Sequence, residues 1–223
     1  MARPLGVLAV AALALAGGSA HGAPPPHAAP VPHGYRLHAI REAGVSVALP
    51  IGWQVLSQHD AAYPGVLENL GRLDKSFVRL VGSLSSPDSP LKLFAFDRLF
   101  WHHRATTAMV SQATYGRPGP FTRWAPRMAG DLRDAPGRVG RIRAARVELP
   151  AGPALRAVYR TSNRDTITVY VVPGRGGLWA LIFRTPTARA AVEAPAFARA
   201  AATLVLTEPT GALVRRASPP PPA

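Results

Sequence analysis

His102 and His103, which follow Asp97 and Trp101, are the residues whose types could most directly perform acid–base chemistry. A general base needs a positioned partner within hydrogen-bond reach, and adjacent side chains on a strand point to opposite faces. The pair can therefore serve one site only from a loop, and no serine or second acid stands at a recognisable spacing from it. Metal ligation would need a third ligand from a distant part of the chain. The residues read as a surface pair, with a His-dependent enzyme as the less favoured alternative. His21, His27 and His33 recur every six residues, but the prolines between them spread rather than converge the imidazoles. Gly174-Arg175-Gly176-Gly177 has the composition of a phosphate loop, yet it lies between two strand-like runs rather than ahead of a helix. It lacks the helix-terminus dipole that makes such loops bind anions, and is expected to be a hairpin turn.

The arginines carry the other candidate chemistry. Eight of them fall between Arg117 and Arg146, against only Asp131 and Asp134. Arg138, Arg141 and Arg143 lie on one expected strand and its entry, and the last two share a face. They are the candidate anion-binding residues, because guanidinium forks match phosphate oxygens in pairs. A compositional reading stands beside this one. Lys75 and Lys92 are the only lysines, and Arg, Ala, Gly and Pro, all abundant here, are the residues of GC-rich codons. Nucleic acid fits less well as a partner, since no aromatics are interleaved with Arg138, Arg141 and Arg143 and the N-terminus points to export.

The chain has 223 residues, a net charge of +14 and no cysteine, which excludes a disulfide scaffold, a thiolate zinc site and a lipid-modified N-terminal cysteine. Arg3 precedes an uncharged apolar run, Leu5 to Ala16, and the small residues Gly18 and Ala20. This is the pattern of a secretory signal peptide over residues 1–20, cleaved after Ala20 or Ala23. The run is too short to span a bilayer. Residues 21–33 and 208–223 are Pro-rich and read as a tether and a disordered tail. Ten of the 24 prolines fall there. Residues 34–207 remain as one domain, enough to bury about 70% of the unfolded surface.

The elements that must position these residues follow from periodicity. Tyr35–Arg41 and Val45–Leu49 read as strands around a Glu42-Ala43-Gly44 turn, and Pro50-Ile51-Gly52 ends the second, with Trp53 a core or corner residue. Residues 64–84 carry apolar side chains at steps of three and four, the period of a helix. Leu91–Asp97 reads as a strand covered on two sides, with Ala105–Tyr115 its neighbour. Phe121, Trp124, Met128 and Leu132 predict a second helix, begun near Ala125 so that Pro126 falls in its first turn. Arg141–Leu149, Ala154–Thr161, Thr166–Val172 and Leu178–Thr185 predict four strands whose short connections demand an antiparallel meander. Thr187–Leu206 predicts a helix interrupted at Pro195, with Phe197, Ala201 and Leu204 inward. About eight strands and three helices result, and the consistent solution is an α+β fold, a single antiparallel sheet flanked by helices.

Val45-Ser46-Val47-Ala48-Leu49-Pro50 with Gly52-Trp53, the strand Leu93-Phe94-Ala95-Phe96-Asp97, the segment Leu149 to Ala154, and Trp179 to Pro186 before a helix with Phe197 together resemble the PsbP-like superfamily. The resemblance covers roughly residues 40–207, and the order and spacing of the motifs carry it. It implies an antiparallel sheet with helices on it in an α/β/α sandwich, and a non-enzymatic accessory or binding protein like the exported bacterial LpqN and DcrB types. It brings no catalytic, cofactor-binding or metal residues to carry over. The anchoring cysteine of the lipoprotein members is missing, so a released protein is implied, with an envelope protein or an anionic envelope polymer or lipid as its partner.

Overall fold

The computed structural model describes residues 29–57, 84, 89–97, 105–174 and 176–207. The expected signal peptide, most of the tether, the helix over 64–84, the histidine pair and the C-terminal tail fall outside or almost outside the described residues. Ten strands and two helices are described. They are β1 (Tyr35–Ile40), β2 (Val45–Pro50), β3 (Gln54–Ser57), β4 (Leu91–Phe96), β5 (Thr107–Tyr115), α1 (Phe121–Arg133), β6 (Arg138–Leu149), β7 (Gly152–Thr161), β8 (Asp165–Gly174), β9 (Gly177–Pro186), α2 (Ala190–Ala202) and β10 (Val205–Leu206).

The strands form two sheets rather than one, which corrects the single-sheet expectation. A seven-stranded antiparallel sheet runs β3-β4-β5-β9-β8-β7-β6, and a three-stranded one runs β1-β2-β10. The cause lies at Pro50-Ile51-Gly52. Gly52 takes φ +99°, a conformation side chains disfavour, so β2 ends there and the chain is re-aimed to enter the other sheet as β3. The expected meander is present as β6 to β9, each strand pairing with the next. Leu91–Phe96 and Thr107–Tyr115 are neighbours as expected.

Two apolar cores fill the two sides of the large sheet. On one side Leu93, Ala108, Tyr170, Leu181 and Phe183 meet Val45, Val47 and Leu49 of the small sheet and Phe197, Ala201 and Leu204 of the α2 segment. Phe183 and Phe197 stack with ring centroids 4.4 Å apart and planes 8° from parallel. On the other side Leu155, Ala157, Ile167 and Val169 meet Trp124, Met128 and Leu132 of α1. Central strand β8 is accordingly buried on both faces from Asp165 to Val172, whereas edge strand β6 is exposed or half-exposed throughout.

Both helices differ from expectation at a proline. α1 begins at Phe121, with Pro126 inside it. Pro120 is extended, and its carbonyl accepts the amides of Arg123 and Trp124, at 2.9 and 3.3 Å, to close the first turn. Pro126 lies on the exposed side, so the carbonyl it leaves unbonded faces water, while the buried set Trp124, Met128, Ala129 and Leu132 holds the helix down. α2 likewise passes through exposed Pro195 uninterrupted. It ends at Ala202, and Val205–Leu206 leave it to pair with β2. Thr203 makes this ending: its hydroxyl donates to the Ala200 carbonyl at 2.7 Å and accepts the Ala48 amide at 2.8 Å.

Candidate functional site

The basic segment maps onto β6, the edge of the large sheet. Between Val139 and Arg143 the register with β7 shifts, with Gly140 at φ +70°, so extra residues of β6 bulge out of the ladder. The three predicted residues separate here. Arg138 is engaged inside the protein: its guanidinium donates to the Arg133 carbonyl at the end of α1 and to the Gly140 carbonyl of the bulge. A cation is favoured at the negative end of a helix dipole, so Arg138 reads as a clamp between α1 and β6. Arg141 and Arg143 are exposed and have no hydrogen-bond or ion-pair partner among the described residues.

The register brings in two residues that sequence reasoning missed. Arg143 stands opposite Val158, Val139 opposite Arg160, and Ala145 opposite Arg156. Leu155, Ala157 and Tyr159 point into the α1 core, so Arg156, Val158 and Arg160 point to the other face, and Arg143 shares it. Arg156 and Arg160 also lack a partner among the described residues. Arg146 belongs elsewhere. It pairs with Glu148 at 2.7 Å and lies 5.2 Å from the Phe121 ring centroid on the α1 side.

Spacing decides what such a face could hold. Arg156 and Arg160 are about 13 Å apart along the strand, with Arg143 between them one strand over. That is too wide for one small anion to engage all of them and suits a row of anionic groups, each taken by its own guanidinium.

The other sequence candidates resolve differently. Gly174 and Gly177 are register partners, so β8 and β9 close as a hairpin there. Asp97, beside the histidine pair in sequence, has its carboxylate held by Arg189 at 2.9 Å. Burial works to lower the Arg189 pKa, but Asp97 and Glu193 outweigh it and hold the group above its ordinary value. His102 and His103 themselves lie outside the described residues. Among those residues no three His, Asp or Glu side chains gather as metal ligands, and no helix is long and apolar enough to cross a membrane.

The fold and this face define a class: an α+β domain with a seven-stranded antiparallel sheet, a helix on each side, and an arginine-bearing sheet edge. The chain is similar to the solution structure of the cyanobacterial PsbP protein, CyanoP, of Synechocystis sp. PCC 6803, at 15% sequence identity and a TM-score of 0.47, covering 85% of this chain and 98% of that one. No family model and no curated protein matches the chain.

Proposed function

We propose that this protein is an exported, non-enzymatic accessory protein whose basic β6–β7 face binds a phosphate-bearing component of the cell envelope, either an anionic polymer or phospholipid head groups. The observation that supports this reading is the set Arg141, Arg143, Arg156 and Arg160, none with a carboxylate partner among the described residues and three of them on one sheet face. Arginine side chains of this kind lose little by exchanging water for phosphate oxygens, and each contact releases counterions. Export follows from the N-terminal pattern, Arg3 and the Leu5–Ala16 run before Ala20.

The test mixes the mature protein with vesicles containing phosphatidylglycerol, and with neutral phosphatidylcholine vesicles, at low and high salt. Retention on the anionic vesicles that falls steeply with salt, and falls again in Arg143→Gln/Arg160→Gln, is the expected result. Retention equal on both vesicle types, or indifferent to salt, overturns the reading for lipid, and the same assay on isolated wall polymer decides the other source. Fractionation with N-terminal sequencing tests export. A chain found in the cytosol and starting at Met1 refutes it.

A further inference from the structure

A second, unrelated feature lies at the opposite end of the large sheet. β1 is an edge of the small sheet and β3 an edge of the large one, and the chain between β2 and β3 holds the two edges near each other. Two adjoining cavities of about 500 and 390 Å³ open there, and Arg36, His38 and Trp53 line both. Volumes in this range accept a small molecule.

The lining mixes polar and apolar side chains. The side chains of Arg36, His38, Trp53 and Gln54 have no hydrogen-bond or ion-pair partner among the described residues. Trp53 is half-buried against the first core, so its ring is held in place while one side meets the cleft. Phe96 adds an apolar floor, and Asp97, the acid in the lining, is committed to Arg189. A cation, an imidazole, an indole and an amide thus line one space, and the acid among its described lining residues is already paired.

We propose that this cleft binds a small organic anion, a carboxylate or sulfonate carried on a flat apolar body, with Arg36 taking the charge and Trp53 the ring. The guanidinium fork matches a carboxylate or sulfonate in two parallel hydrogen bonds. His38 and Gln54 supply further donors, and the indole supplies a stacking surface. This site is separate from the β6–β7 face and stands whether or not that face binds phosphate.

The probe is 1-anilinonaphthalene-8-sulfonate, followed by its fluorescence with the folded full-length protein, against the uncharged N-phenyl-1-naphthylamine of the same ring system. The sulfonate is expected to bind about tenfold tighter than the uncharged analogue, and Arg36→Gln to erase that preference. Trp53→Leu, checked for native circular dichroism, should weaken both probes. Arg36→Gln changes an exposed side chain, so its effect is read on a folded protein even if Trp53→Leu fails to fold. Equal binding of the two probes to the native protein overturns the proposal. So does a sulfonate preference that survives Arg36→Gln, or one lost to the same extent in Arg143→Gln.

Discussion

Arg189 at the start of the α2 segment donates to the Asp97 carboxylate at the end of β4, 2.9 Å away and 92 positions earlier in the chain. Glu193, one turn on in α2, holds the same guanidinium. The contact ties the last helix to a strand near the far edge of the large sheet, beside the cleft. Its carboxylate is one-tenth exposed, so the pair is shielded enough to matter.

Arg189→Met should therefore cost about 1–3 kcal/mol, since it leaves two carboxylates without their common cation. Chemical denaturation of the single variants and of Arg189→Met/Asp97→Asn checks this. A double variant as stable as the better single one indicates coupling, and strict additivity would show that the contact contributes nothing.

Thr203→Val keeps the shape of the side chain and removes the acceptor of the buried Ala48 amide. A loss of about 1–3 kcal/mol with an unchanged denaturant slope is expected. Thr203→Ser should retain most of the stability, because the hydroxyl is what the amide requires.

At Gly174 an added Cβ would stand 2.6 Å from Leu206 Cδ1 and 2.7 Å from Trp179 Cδ1. The leucine tip can turn away, but the buried indole cannot without disturbing the core. Gly174→Ala should lower stability by about 1–3 kcal/mol, read as a fall in melting temperature.

His38 gives a pH dependence of known sign. Burial, and then the nearby Arg36 charge, hold its pKa below the ordinary 6.5, with Asp97 in the same cleft lining engaged by Arg189. The folded protein resists a proton that the unfolded chain accepts at 6.5. This contribution to stability is complete above 6.5, is lost as pH falls below it, and levels off once the folded-state value is passed. Wild type should lose stability relative to His38→Gln over that range. A constant difference between the two across the range would refute it.

Arg138 and Arg143 should part company by experiment. Arg138→Ala removes the clamp on the Arg133 carbonyl and should lower thermal stability with little effect on anionic vesicle retention. Arg143→Gln should do the reverse.

Much of the fold was legible from local pattern. The strands β6 to β9 alternate and are separated by turn residues, so pairing in sequence order was the geometric consequence of short connections. The helices were legible in their apolar faces but not in their ends. Pro126 and Pro195 argued locally for breaks, and burial of Trp124, Met128 and Phe197 outweighed one missing hydrogen bond in each helix. The surroundings of the candidate arginines were not legible in the sequence. Arg141 and Arg143 stand exposed and Arg138 is engaged by carbonyls, and nothing local distinguishes the three.

By itself the sequence determined the antiparallel meander, the hairpin at Gly174–Gly177, the inward face of the last helix and the basic excess around β6. These depend on residue type and period within a single element. Only the tertiary structure decided that the strands divide between two sheets, that Arg138 is consumed by carbonyls, and that Arg156 and Arg160 join Arg143 on one face. It also decided that Arg36, His38 and Trp53 meet in a cleft between two sheet edges. Such facts depend on register and on where a chain is re-aimed, here at Gly52 and at the Gly140 bulge, and a one-residue slip in either would send every following side chain to the opposite face.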